Sequence, residues 1–551
     1  MKKKITVISI LLCLVLVLSL FAACKTPEEP DNGIKAWESN KVVAADSPLY
    51  RDYYHIFVYS FADSDGDGIG DLKGIESKLD YIADLGFNGI WLSPINPSQT
   101  EHCYDVEDYC AVNSKFGTLA DFKDLVDVAH DKGISVMLDL VINHSSNRHP
   151  WFTQSQTAWR NKLTTNKYYD YYTFTNSTGT EYLRFGNEAT MPKLNLDSEG
   201  VRTEIDNICK FWLQNYGVDA FRLDAAMHFY GEANEDKNIA FMQWLMSTAQ
   251  KYNPDVYMVG EVWSSARTIY NHYAENSVQS FFNFPFGTPS NSLMQVLNSG
   301  QENRATTITN LLKSKESGTA KGIDALFASN HDTSRISNSI SYINSRSEEV
   351  TDERMSQHRM AIALLYTQTG NVFNYYGNEI GMRNGARKSS SSDYKDYTYR
   401  TAMNWGEEAH YERKDGFAYK AYGYDGRFGE YDDYLGGVAE QINDQNSLLN
   451  FYRRVMLLRR QNPEIAQGTS TFIMNADSDL LVLVREYKGS KILMIYNMHS
   501  DKQITFNASD IISQYGLKGN LAGFLSGNNN RDVTMNGKTV TMPQYTVAII
   551  R

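Results

Sequence analysis

GVDAFRLDAAMH, residues 217–228, is the stretch on which the reading of the fold turns. Its strand-like part, VDAFRLD at 218–224, is rich in apolar side chains, ends on Asp224 and is followed by the small residues Ala225 and Ala226. A parallel strand buried on both faces looks like this where it reaches the rim of a sheet. Two further segments repeat the design. VYMVGEVW (256–263) delivers Glu261, and LFASNHDTSR (326–335) delivers Asp332. A single acid after a strand is as readily a solvent-facing loop residue as a functional one. Three in order, with Arg222 two residues before Asp224 and His331 beside Asp332, point to one shared site.

Working outward, short apolar runs alternate with helical stretches from about Tyr53 onward, the pattern of a parallel α/β sheet. The expected strands are HIFVYSF (55–61), FNGIWLSPI (87–95), ISVMLDLVIN (134–143), VDAFRLD (218–224), DVYMVGEVW (255–263), VQSFFNF (278–284), ALFASN (325–330) and NVFNYYG (371–377). Between them lie amphipathic segments such as DLKGIESKLDYIADLG and TLADFKDLVDVAHDKG, with apolar residues recurring at three and four. Eight such units predict a closed (β/α)8 TIM barrel, whose sites lie at the C-terminal ends of the strands. Barrel residues are expected at 47–143 and 191–467. Residues 144–190, rich in Asn, Thr, Tyr and Ser, read as an irregular domain inserted after the third strand. The helix SLLNFYRRVMLLRRQNPEI closes the barrel, and residues 468–551 change to period two, as in a C-terminal antiparallel β-sandwich.

The 551 residues are too many for one ordinary core. A net charge of −12 argues against nucleic acid or another polyanion as partner. Aromatic residues make up 13% of the chain, which suits a surface that stacks on sugar rings, though large cores use them too. Lys2, Lys3 and Lys4 precede an apolar run ending in Phe21-Ala22-Ala23-Cys24, so residues 1–24 read as a targeting segment. The small residues before Cys24 resemble a bacterial lipoprotein cleavage box. That implies an exported protein lipid-anchored through Cys24, with plain secretion as the alternative. Residues 25–46 then read as a tether. Cys103, Cys110 and Cys209 remain, and a Cys103–Cys110 disulfide is left open. No Cys or His spacing suggests zinc.

A second site is DSDGDGIGD at 63–71. Alternating acids can wrap oxygens around a hard cation, and the intervening glycines permit the tight turn. Position twelve of an EF-hand would fall on Gly74 instead of Glu, and a strand precedes the loop, so an EF-hand is rejected.

DLVINH (139–144), FRLDAAMH (221–228), GEVW (260–263) and SNHDTSR (329–335) match, in order, the four principal motifs of glycoside hydrolase family 13. GFNGIWLSPI (86–95), HCYD (102–105), MPKLN (191–195) and YYGNEIGM (375–382) match accessory ones. The chain thus resembles an α-amylase-type enzyme from about residue 50 to its end. NHSSNRHPWF and RTAMNW (400–405) lean toward the branch of oligo-1,6-glucosidases and cyclomaltodextrinases.

The resemblance implies Asp224 as nucleophile, Glu261 as general acid/base and Asp332 as transition-state stabiliser. It implies substrate contacts from His102, Tyr104, His144, Arg222, His228 and His331. Calcium is implied as a structural cofactor on Asp63, Asp65, Asp67, the Ile69 carbonyl and Asp71. Lys193 stands where the family's other calcium site has an Asp, and its ammonium is expected to replace that ion. Cys103 stands where the family usually has Gly, and Met227 where many members carry Lys. The expected protein is a monomer acting on starch, maltodextrin or a related α-glucan, and cleaving α-1,4 bonds with retention. The alternatives are a cyclomaltodextrinase, neopullulanase or α-glucanotransferase. A non-catalytic relative is opposed by the intact set of acids.

Overall fold

The computed structural model of the protein describes residues 47–265, 268–274, 277–287, 303–319, 322–340, 351–385, 398–406, 435–527 and 532–551. The targeting segment and tether, with Cys24, lie outside them. Within the described residues no helix is long and apolar enough to cross a membrane.

Eight parallel strands close a barrel in sequence order: β1 (Tyr53–Ile56), β2 (Gly89–Leu92), β3 (Ser135–Leu140), β4 (Ala220–Leu223), β5 (Tyr257–Gly260), β6 (Ser280–Phe282), β7 (Ile323–Phe327) and β8 (Asn371–Tyr375). Alternate residues point in and out. Tyr53, Trp91, Met137, Ala220, Tyr257, Val259, Phe282, Phe327 and Phe373 fill the interior, while Ile90, Leu92, Val136, Leu138, Phe221 and Leu223 pack outward. The Tyr53 ring stacks on Tyr257 at 5.8 Å and on Phe373 at 5.0 Å. It lies so close to β2 that a Cβ on Gly89 would meet it at 2.6 Å. Each fully buried large apolar side chain contributes about 1.5–3 kcal/mol.

The β1–β8 seam is locked by a buried ion pair. Arg459 Nε lies 3.0 Å from both oxygens of Asp52, and Asp52 Oδ1 also accepts the Val372 N–H at 3.0 Å. Arg459 further donates to the carbonyls of Tyr366, Gln368 and Gly370, so each of its three side-chain nitrogens has an acceptor.

The first strand is shorter than expected and begins earlier. After Ile56 the chain tightens into the turn Val58–Ser60, because Gly70 packs so closely there that a Cβ would meet the Val58 carbonyl at 2.1 Å. The helix expected over 71–86 breaks at Lys78 into Leu72–Ser77 and Leu79–Asp84. Between β3 and β4 the inserted segment carries the helix Pro150–Arg160, and isolated antiparallel bridges, including His144–Lys193 and Tyr172–Leu194, pair it with the stretch that follows it. Beyond the helix Leu448–Gln461 stand two antiparallel sheets. One has five strands, β9 (Thr469–Phe472), β10 (Leu480–Tyr487), β11 (Ser490–Asn497), β13 (Leu521–Ser526) and β16 (Thr546–Ile550). The other has three, β12 (Ile504–Asn507), β14 (Thr534–Asn536) and β15 (Thr539–Met542). Val482, Val484 and Ile495 of the larger sheet share an apolar core with Ile504, Val540 and Met542 of the smaller, as a sandwich requires. The helix Ser509–Tyr515 was not expected from the sequence. Cys103, Cys110 and Cys209 are all free thiols.

Candidate active site

Asp224 follows β4 directly, Glu261 follows β5, and Asp332 lies on the turn after β7. Parallel strands put all three at one end of the barrel. Arg222 of β4 draws two of them together. The strand register sets it beside Asp139 of β3. Its Nη1 donates to Asp139 Oδ1 at 2.7 Å and to Asp224 Oδ1 at 2.8 Å, while Nη2 lies 3.0 Å from Glu261 Oε2. The guanidinium is held near the rings of Trp91 and Tyr104, 5.6 and 5.7 Å from their centroids. Ala225 takes a left-handed conformation (φ 49°), and its N–H donates to Glu261 Oε2 at 2.9 Å. Such strain at a non-glycine residue collects at functional sites. Asp224 Oδ2 is buried and has no hydrogen-bond partner among the described residues.

Asp332 joins the same network from the opposite side. Its Oδ2 lies 3.0 Å from His331 Nε2, and its Oδ1 accepts Arg400 Nη2 at 2.8 Å. Arg400 Nε also donates to the His331 carbonyl at 3.0 Å. His331 Nε2 is 2.6 Å from the Tyr104 hydroxyl, which donates to Asp139 Oδ2 at 3.1 Å. The Tyr104 and His331 rings stack at 5.5 Å with 9° between their planes. A continuous path of polar contacts therefore runs from Asp332 through His331, Tyr104 and Asp139 to Arg222, Asp224 and Glu261.

Burial dominates the titration of these groups. It raises the Glu261 carboxyl above its usual range, with Arg222 opposing and the Asp224 charge adding. It raises Asp224 too, against Arg222, and pushes Asp139 up to about 7. One guanidinium cannot neutralise three carboxylates in a poorly solvated cluster, so a proton is retained among them. Asp332 behaves differently. Burial alone would raise it, but His331 and Arg400 outweigh that and hold its carboxyl below the usual range. Burial lowers His331, with Asp332 opposing.

The remaining expected contacts divide. His102 Nδ1 accepts the Tyr104 N–H at 3.1 Å, so its proton sits on Nε2; burial pulls its pKa down to about 3. His144 does not present a free nitrogen. Its Nε2 bonds the Tyr104 carbonyl at 3.1 Å, its Nδ1 faces Asn143 Nδ2 at 3.1 Å, and its ring stacks on Phe185 at 5.0 Å. In this conformation it fixes the backbone of Tyr104. His228 is edge-on to the same Phe185 at 5.5 Å, and its carbonyl accepts Lys193 Nζ. The ammonium thus ties the stretch just after the inserted segment to the loop after Asp224. Burial pulls Lys193 down to about 8. Cys103 adopts φ 60°, the left-handed region that favours glycine.

Asp139, Arg400 and Phe185 were not among the expected site residues. Asp139 opens the DLVINH motif and shares inward parity with Arg222; Arg400 opens RTAMNW. Both signals were in the quoted motifs. Phe185 lies in the irregular segment, where no periodicity marks it.

In the loop at 63–71, one oxygen from each of Asp63, Asp65 and Asp71 lies within 4.8 Å of the others. Gly66 and Gly68 take φ 81° and 90°, as the tight turn demands. Asp63 accepts the Gly66 and Gly68 N–H groups at 2.7 and 2.9 Å, and Asp71 accepts those of Ser64 and Gly74 at 2.7 Å. An all-oxygen set held by backbone donors fits a hard cation. Asp67 stands outside this trio, because its Oδ1 turns to the Ile69 N–H at 2.7 Å.

The family model of the α-amylase catalytic domain matches residues 55–468. Alpha-amylase 3 of Dictyoglomus thermophilum is 32% identical over 488 residues, covering 85% of this chain and 88% of that protein. Oligo-1,6-glucosidase of Bacillus cereus is 27% identical, covering 83% and 92%. The solved structure of Eubacterium rectale Amy13B superposes with a TM-score of 0.77 at 34% identity, over 93% of this chain and 97% of that one. With its closed barrel and ordered motifs, the chain belongs to the α-amylase family, glycoside hydrolase family 13, and is an enzyme of that kind.

Proposed function

We propose that the enzyme is a retaining α-glucan hydrolase acting on the α-1,4-glucosidic bonds of starch and maltodextrins. The observation that carries this reading is the single Arg222 guanidinium shared by Asp224 and Glu261. It holds a potential nucleophile and a potential acid on adjacent strands, the arrangement a double displacement needs.

Asp224 Oδ2 attacks the anomeric carbon, and the glycosidic C–O electron pair leaves with the departing oxygen. Glu261 gives that oxygen its proton, a role suited to a carboxyl raised by burial. Water then gives a proton back to Glu261 while its oxygen attacks the anomeric carbon and releases Asp224. Arg222 stabilises the ionised nucleophile, and Asp332 with Tyr104 and His331 forms a rigid wall against the sugar. A sugar hydroxyl in place of water would make the enzyme a transferase through the same intermediate. Cyclodextrin or pullulan preference, and the α-1,6 action named for the oligo-1,6-glucosidase relative, are the other readings of the same site.

The loop of Asp63, Asp65 and Asp71 supports a structural calcium, which would tie the turn after β1 to the helix Leu72–Ser77. Export with a lipid anchor at Cys24, and a monomeric state, complete the proposal. Chromatography of products from maltoheptaose, starch, pullulan and cyclodextrin tests the bond preference. Shorter maltodextrins from maltoheptaose and starch are expected. Products from pullulan or cyclodextrin alone would refute the α-amylase assignment.

A further inference from the structure

At the end of the barrel opposite the acids lies a cavity of about 250 Å³. Its walls include Asp52, Asn88, Gly133 and Asn371, which precede or begin β1, β2, β3 and β8, so it sits at the N-terminal ends of the strands. Arg51, Lys132, Arg459 and Arg460 also line it, against the single carboxylate of Asp52. That carboxylate is already matched by Arg459.

The other cations are less engaged. Arg51 is fixed by Nε on Ser135 Oγ (3.2 Å) and by Nη1 on the Ser47 and Tyr50 carbonyls (3.2 and 3.0 Å); Nη2 makes no such bond among the described residues. Among the described residues the Lys132 side chain pairs with Asp80 alone, whose side chain is 85% exposed, a pairing worth little. Arg460 makes no hydrogen bond or ion pair among the described residues. Four cations beside only Asp52 and the exposed Asp80 leave the cavity with an excess of positive charge.

We propose that this cavity binds a phosphate group, carried by a small solute or by a phospholipid headgroup. Guanidinium forks match phosphate oxygens, and Arg460 and Arg51 Nη2, without partners among the described residues, suit a group that carries more than one acceptor and up to two charges. The cavity is smaller than ordinary ligand pockets of about 300–1,000 Å³, which argues against a glucan chain. The headgroup source rests on the proposed anchor at Cys24, since the described chain enters at Ser47–Tyr50, beside the cavity.

The test uses the full-length protein and its Lys132→Gln/Arg460→Gln variant. Calorimetric titration with inorganic phosphate, against acetate, reads the solute source. Co-flotation with phosphatidylglycerol against phosphatidylcholine vesicles reads the headgroup source, and the variant controls for the apolar N-terminus. Saturable phosphate binding weakened about tenfold or more in the variant supports the solute. Phosphatidylglycerol-specific flotation reduced in the variant supports the headgroup. Starch hydrolysis should be equal in both proteins, whether or not the α-1,4 reading stands, because neither residue approaches the acids. Acetate binding as tightly as phosphate, or no difference between the two proteins in either assay, overturns the proposal.

Discussion

Arg222 carries one positive charge and touches Asp139, Asp224 and Glu261, so changing any one acid redistributes its support among the others. Asp139→Asn keeps the shape but removes a competing anion. Arg222 then favours the ionised form of Glu261 more strongly, and the alkaline limb of the pH–rate profile should move to lower pH. Positioning of Tyr104 and Arg222 also suffers, and kcat should fall by about 10²-fold. An unmoved alkaline limb in the variant would show that Asp139 does not govern the shared proton. In the wild type the sign follows from the roles. Activity is lost as pH rises through the elevated Glu261 value, because the acid loses its proton. It is lost as pH falls through the elevated Asp224 value, because the nucleophile gains one. A bell-shaped kcat/KM profile checks this, and a profile flat from pH 4 to 9 would contradict it.

At the scale of elements, the Asp52–Arg459 pair braces the β1–β8 seam that closes the barrel. Arg459→Met leaves a carboxylate buried without its partner and should cost about 3–5 kcal/mol in denaturant unfolding. A loss below about 1 kcal/mol would show that Asp52 finds water instead. Thr118 caps the helix Leu119–Asp131 in a reciprocal box with Asp121, so Thr118→Ala should cost about 1 kcal/mol. Strands were legible because each is a short run rich in apolar residues, and VDAFRLD ends directly on an acid. Their ends were less so: nothing in HIFVYSF announces that Gly70 will press on Val58 and turn the chain there. The break at Lys78 was hidden for a similar reason, since one heptad-like pattern runs through both short helices. The acids and Arg222 were readable from motif order. The occupation of both His144 nitrogens was not, because it depends on Tyr104 and Asn143 meeting in space.

Over the whole molecule, the acidic loop at 63–71 and the cavity at the N-terminal ends of the strands sit outside the cluster of acids, so loss of the proposed calcium or anion should affect stability or binding before chemistry. A chelator should lower the melting temperature of the wild type and have little effect on Asp63→Ala/Asp65→Ala; identical melting shifts in both would remove the metal from this loop. The Lys193–His228 contact joins the stretch just after the inserted segment to the loop that follows Asp224, two distant parts of the chain. The barrel, by contrast, sets Asp224 and Glu261 at the ends of neighbouring strands, β4 and β5, and Asp332 after β7. The most direct test of the whole reading is to trap the intermediate with a 5-fluoro α-glucosyl fluoride and map it by peptide mass spectrometry. A glucosyl adduct on Asp224, absent in Asp224→Asn, is the expected result; an adduct on another residue, or turnover by Asp224→Asn at the wild-type rate, would contradict it.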